Sequence, residues 1–307
     1  MDLPDLIGRL STSVVGRRRE LELVVAALAA DRHILLEGPP GTGKSTLLRA
    51  VAHQLGIGFE FVEGNAELTP ARLVGHFDPA RVLADGYSPD VFVDGPLVAA
   101  LRDGSLLYVE ELNRVPEETL NVLVTVMSER ELNVPRLGRI VAAPGFRLVA
   151  AMNPFDAVGT ARISSAIYDR VCRLAVGYQD DRDERAIVDR HGAVVPSGWA
   201  ASAVELVRRT RQHPDVRIGS SVRGAIDLCA VAASLSGIRG LAVDEPGVSL
   251  DAALVALSGR IRVREGSSRD AESIITELWH AVFAPAADAP EVDPGKAIAP
   301  MGATAAR

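Results

Sequence analysis

The chain has 307 residues, 48% of them apolar and 24% charged, which suits one large or two ordinary globular domains with apolar side chains enough for a core. Its net charge of −7 argues against a nucleic-acid partner, for which a concentrated basic surface is expected. The longest apolar run, residues 23–30, is far short of the roughly twenty residues a membrane span needs, and the opening MDLPDLIGRLSTS has no long apolar core, so no secretion signal is expected and a cytoplasmic location is.

Residues 1–13 read as a short lead-in. Val14-Val15-Gly16-Arg17 then gives two apolar residues, a tight turn and a cation ahead of an amphipathic helix over 20–30, with Leu21, Val24, Val25 and Leu28 on one face. The pattern fits a hinge that packs on a nucleotide base and fits an ordinary helix start equally well. The basic runs Arg17-Arg18-Arg19 and Arg208-Arg209-Thr210-Arg211 read as solvated helix faces or subunit contacts.

An apolar strand over 34–37 runs into Gly38-Pro39-Pro40-Gly41-Thr42-Gly43-Lys44-Ser45-Thr46 and a helix carrying Leu47 and Leu48. The glycines can take backbone angles closed to other residues, so successive N–H groups can face one anion at a helix N-terminus. Lys44 adds a full charge for β/γ-phosphates and Ser45 a hydroxyl for Mg²⁺, in the spacing G-x4-G-K-[ST]. A turn that merely joined strand to helix would need no lysine, and the chain has only one other, Lys296.

Residues 58–63 alternate as a strand. Residues 66–104, punctuated by Gly, Asp and Pro, read as an insertion exposed at one face. A buried strand over 105–109 ends in Glu110-Glu111, where acids can hold Mg²⁺ through its waters and polarise an attacking water. A helix over 117–130 follows, with Leu120, Leu123, Val124 and Met127 inward, then a hairpin of 131–134 and 139–142. The buried strand 146–151 delivers Asn153 to the same edge as Glu110 and Glu111, and 164–170 looks helical before a last strand, 171–176. Ligand candidates at carboxyl strand ends imply an α/β fold with a mainly parallel sheet between helices.

From Asp180 strand patterns cease, and helices are expected over 182–190, 200–211, 222–235, 251–257 and 271–283. The expected boundaries are a lead-in, 1–13; a nucleotide-binding domain, 14–178; a smaller all-helical lid, 179–285; and a mobile tail, 286–307. Cys172 and Cys229 lie in no C-x-x-C pair and read as small buried apolar residues, and the six histidines show no metal-binding spacing. No N-K-x-D motif marks a GTPase.

In this order VVGR, GPPGTGKST, LLYVEELNRVPEETLNVLVTVMSERE, FRLVAAMNP and AIYDR resemble the AAA+ ATPases, and within them the MoxR group, related to CbbQ/NorQ-type activators, over residues 14 to about 283. The resemblance implies a P-loop NTPase fold that binds and hydrolyses ATP with Mg²⁺. It makes Gly38 to Thr46 the Walker A loop, with Ser45 and Glu110 on the metal side. Glu111 becomes the catalytic glutamate, Asn153 sensor 1 and Arg223 the sensor 2 arginine of the lid. Val15 and Gly16 match the adenine-side hinge, and residues 132–142 the hairpin before sensor 1. Arg170, with Arg162 as competitor, matches the arginine finger that serves a neighbouring subunit. A homo-oligomeric ring, hexameric in this family, is thereby implied, and so is a client protein, often one with a von Willebrand factor A domain. The family usually has Asp-Glu where this chain has Glu110-Glu111. The longer metal-side acid leaves open a second reading, a nucleotide-gated binding module with little or no hydrolysis.

Overall fold

Strands buried on both faces must be apolar at nearly every position, and three of the segments above are. His33–Glu37 is buried throughout, as is all of Leu106–Glu110 but its last residue and of Arg147–Met152 but its first. The structure, a computed structural model, describes residues 3–154, 163–192 and 195–283. Described residues up to Gly192, with Ser221–Arg223, form one compact unit; 195–220 and 224–283 form another.

The first unit runs α1 (Leu3–Ser13), α2 (Arg18–Ala29), β1 (His33–Glu37), α3 (Lys44–Leu55), β2 (Phe59–Glu63), α4 (Pro70–Val74), β3 (Gly75–Phe77), α5 (Pro79–Asp85), β4 (Phe92–Asp94), α6 (Pro96–Asp103) and β5 (Leu106–Glu110). It continues with α7 (Glu117–Glu129), β6 (Glu131–Val134), β7 (Gly138–Val141), β8 (Arg147–Met152), α8 (Ser165–Tyr168), β9 (Val171–Ala175) and α9 (Asp181–Arg190). Five of the strands make a parallel sheet ordered β2-β5-β8-β1-β9. Successive strand residues face opposite sides, and the core divides accordingly. Leu35, Leu107, Val109, Leu148 and Ala150 pack with α6 and α7. Ile34, Leu36, Leu106, Tyr108, Val149 and Ala151 pack with α1, α2 and α3. The sheet lies between helices, as expected.

Two expectations change. Within the expected lead-in, Leu3–Ser13 is a helix whose Leu6, Ile7 and Leu10 are buried in the core, three apolar residues at helical spacing within a stretch too short to declare itself. Within 66–104, only 70–94 form small peripheral elements, including the antiparallel pair β3 and β4. Residues 96–103 are α6, a core helix opened by Pro96 and ended at left-handed Gly104, with Leu97, Val98, Ala100 and Leu101 buried. The hairpin of β6 and β7 forms as read.

The second unit holds α10 (Ser197–Gln212), β10 (Val216–Ile218), α11 (Val222–Arg239, from Gly224 onward), α12 (Pro246–Leu257), β11 (Arg262–Val263) and α13 (Ala271–Phe283). It is helical, with one short antiparallel ladder, β10 to β11, that no strand pattern announced. Trp199, Ala203, Ala252, Ile275 and Trp279 are among its buried residues. Cys229 is buried as expected, but Cys172 is exposed on β9, an edge strand of the sheet with one paired side. Among the described residues no helix is long and apolar enough to cross a membrane.

His33, at the start of β1, is buried, and its Nδ1 accepts a hydrogen bond from the Leu148 amide at 2.9 Å. Burial, then the Arg130 charge, lower its pKa to about 4. An unfolded chain protonates this ring below its ordinary value of 6.5, whereas the folded chain resists. The ring's contribution to stability is therefore complete above 6.5 and lost as pH falls towards 4. The melting temperature should drop across that window, and His33→Gln should flatten the drop.

Candidate functional site

The carboxyl edge of the sheet gathers the candidate residues. β1 ends in Glu37 and the chain leaves through Gly38, whose amide donates to Met152 O at 3.1 Å. A Cβ on Gly38 would collide with the Val176 carbonyl, so this position has room for glycine alone. Gly41 and Gly43 have φ of 74° and 81°, left-handed values that suit glycine, and Gly43 is the N-cap of α3. Thr42 is buried, and its hydroxyl closes the turn onto Pro39 O at 3.0 Å. Pro39 is half-buried, and Pro40 and Thr46 face solvent. Lys44 Nζ donates to the carbonyls of Gly38 and Pro39, both at 2.9 Å. Burial, more than any other cause, lowers its pKa to about 8, with Glu110 opposing and Arg17 and Arg223 assisting.

Ser45 Oγ, one residue on, donates towards both Glu110 carboxylate oxygens, at 3.2 and 3.1 Å, and lies 3.3 Å from the Tyr108 hydroxyl. The longer acid thus reaches the P-loop serine. One hydroxyl and one carboxylate converging beside a phosphate cradle suit Mg²⁺, which takes one or two carboxylates and keeps several waters. Among the described residues no cluster of three or more His, Cys, Asp or Glu competes for a metal. Glu111 turns the chain out of β5 with φ 53°, an uncommon value for a residue with a side chain. Its carboxylate pairs with Arg114 Nη1 at 3.1 Å, half-exposed. Asn153 follows β8, the strand between β5 and β1 in the sheet, and so stands at the edge between the two acids and the P-loop.

Gly16 has φ 66°, and a Cβ there would strike the Asp183 side chain, so Val15 and Gly16 run close against α9. A Cβ on Gly41 would meet the Ser221 side chain, with Arg223 Cδ 3.6 Å away, so the arginine at the start of α11 lies near the loop. Arg170 does not join this group. It precedes Val171, which pairs with His33 at the opposite end of β1, so a five-residue strand, about 16 Å, separates it from the P-loop. There it donates to Ser128 Oγ at 2.5 Å and Ala166 O at 2.8 Å. Arg162 lies outside the described residues.

Two side chains beside the P-loop escape a reading of the sequence. Arg17, in a run that reads as a solvated helix face or a subunit contact, is buried: Nη2 donates to Thr42 O at 2.9 Å and Gly177 O at 2.6 Å, and Nη1 pairs with Glu20 at 3.0 Å. It ties the loop to the segment after β9, while Arg18 stays in solvent beside Glu22. Glu20, one helical turn on, was the available signal. Tyr108 counts in sequence as strand filler, yet its hydroxyl reaches Ser45. Burial pushes its phenol well above the ordinary range.

Comparison with known proteins agrees with this fold. Residues 33–171 match the AAA domain (dynein-related subfamily). An uncharacterized protein of Staphylococcus epidermidis is 29% identical over 213 residues, covering 67% of this chain and 80% of its own. One from Staphylococcus aureus is 29% identical over 205 residues, covering 65% and 77%. Among solved structures, a candidate ATPase from Cytophaga hutchinsonii superposes with TM-score 0.52 at 20% identity, covering 91% of this chain and 93% of its own. A RuvB mutant from Thermotoga maritima gives TM-score 0.52 at 16% identity, covering 87% and 70%. The chain therefore has the AAA+ P-loop NTPase fold, with further helices at its C-terminal side.

Two outcomes follow. Arg17→Met removes a buried guanidinium with three partners and should cost on the order of 3 kcal/mol, read from urea midpoints. Lys44 is charged in free and liganded loop alike below about pH 8. Above that pH a phosphate ligand must draw a proton onto it, so affinity should fall as pH rises. Calorimetry in buffers of different ionisation heat should show proton uptake above about pH 8, and Lys44→Gln should abolish it.

Proposed function

We propose that the chain is an AAA+ ATPase of the MoxR group that hydrolyses ATP at the subunit interfaces of a ring, a hexamer by family likeness, to remodel, activate or metal-load a client protein. The observation that carries the reading is the meeting of Lys44, the Ser45 and Glu110 pair, Glu111 and Asn153 at one sheet edge.

In this reading the backbone amides of Gly38 to Thr46 hold the phosphates, and Lys44 exchanges the Gly38 and Pro39 carbonyls for β/γ-phosphate oxygens. Ser45 and Glu110 hold Mg²⁺, which when bound supplies charge neutralisation at the phosphate oxygens. Glu111 leaves Arg114 to orient the attacking water, Asn153 steadies the γ-phosphate, and Arg223 adds positive charge from the start of α11. Val15 and Gly16 line the base. Arg170, at the other end of β1 from its own loop, completes the site of a neighbouring subunit, which is the reason for a ring. A client with a von Willebrand factor A domain and a cytoplasmic setting belong to the same proposal and rest on the family likeness alone.

The alternative, a gated module whose glutamate is too slack for chemistry, loses ground because both Glu110 oxygens stand within 3.2 Å of Ser45 Oγ. Phosphate release should depend on Mg²⁺, rise faster than linearly with protein concentration as rings assemble, and fall at least a hundredfold in Glu111→Gln, about the loss of one transition-state group. Arg170→Ala should be as inactive, yet regain turnover when mixed with Lys44→Ala, each variant lending the other its intact half. Assembly with ATP but no phosphate release, with or without a client, would favour the gated module.

A further inference from the structure

Tyr108 and Glu110 lie two apart on β5, so their side chains share one face of the sheet. Tyr108 is fully buried, in the apolar layer that includes Leu47, Leu48 and Val51 of α3. The rings of Phe59 and Phe61 each stand 5.8 Å from its own. The Arg49 guanidinium stacks over those two rings, 4.9 and 5.4 Å from their centroids. Such a wall asks for an aromatic ring and has no use for a hydroxyl, since phenylalanine would fill the same volume. A buried phenol loses its water and must find a partner within the protein. Tyr108 finds one in the site, Ser45 Oγ at 3.3 Å, and Ser45 in turn donates to the Glu110 carboxylate at 3.1 and 3.2 Å.

We propose that Tyr108 is a positioning residue of the metal side of the site, its hydroxyl holding Ser45 and, through it, the Glu110 carboxylate; the inference deepens the ATPase reading and rests on it. The need comes from the length of the acid. A glutamate has one more rotatable bond than an aspartate, and ordering it costs side-chain entropy at the moment of use. The phenol, itself fixed by close packing on every side, meets that cost in advance. Glu110 therefore waits where Ser45 is, and its extra methylene becomes reach in place of slack.

The test is Tyr108→Phe in the full chain, which keeps the ring and deletes one oxygen. Binding of a fluorescent ATP analogue is followed against Mg²⁺ concentration and, separately, in EDTA. The Mg²⁺ midpoint should rise about tenfold, the worth of one buried hydrogen bond, while affinity in EDTA stays within about twofold. In Glu110→Asp, whose carboxylate is drawn back from Ser45, adding Tyr108→Phe should move the midpoint less than about threefold. An unshifted midpoint in Tyr108→Phe, an equal loss with and without metal, or a full tenfold shift in the Glu110→Asp background would each overturn the proposal. Wild-type protein that binds no analogue under either condition would instead overturn the ATPase reading beneath it, and the proposal with it.

Discussion

The arrangement depends on how tightly the chain leaves β1. β1 is paired on both sides, with β8 and β9, and its last residue is in register with Met152 on one side and Ala175 on the other. The loop that follows must therefore pass through a gap set by two neighbouring strands. Gly38 passes it because it has no Cβ to meet the Val176 carbonyl. Everything that bears on a phosphate is then fixed relative to that gap: Lys44 by its bonds to Gly38 and Pro39, Ser45 by the start of α3, the acids by the register of β5 against β8, and Asn153 by the end of β8. Precision in the site is inherited from backbone hydrogen bonds in the sheet, which no side-chain substitution easily loosens.

Electrostatically the site is held under tension. An ammonium in a mostly buried loop is disfavoured, and Arg17 and Arg223 add to the strain while Glu110 relieves it. The positive side chains Arg17, Lys44 and Arg223 gather about one loop in a chain whose overall charge is −7. Local excess of one sign against the global balance is what an anion site requires, since a dianionic or trianionic ligand can neutralise what the protein alone does not.

Much of this was legible in the sequence where local rules decide. The G-x4-G-K-S spacing dictates loop and lysine, the runs ending at Glu110 and Met152 are apolar on both faces, and α2 and α7 show helical periodicity in Leu21, Val24, Leu28 and in Leu120, Leu123, Met127. The rest was hidden for physical reasons. In α6, Pro96 and Gly104 read as loop punctuation, although they are a helix start and stop, and only burial against the sheet reveals the difference. Arg17 is one of three consecutive arginines, and nothing local says which of them turns inward. Cys172 lies on an apolar-looking strand, yet β9 is an edge of the sheet and its residues are less covered than those of β1 or β8. Tyr108 shows the same limit at finer scale, since its ring was predictable as core and its hydroxyl was not. Pattern identifies which element a residue belongs to; long-range packing decides what its polar end touches.

Glu111 carries one more implication. Its left-handed backbone, φ 53° and ψ 44°, is a conformation that costs a residue with a side chain on the order of 1 kcal/mol and costs glycine nothing. If Glu111 orients the attacking water as proposed, stability and chemistry are opposed at this position. A chain screened for heat resistance alone would drift towards glycine or asparagine here and become sturdier as it lost its carboxylate. On the proposed reading, the glutamate the chemistry needs is one the fold would exchange for glycine, and the strain at φ 53° is borne for the site's sake.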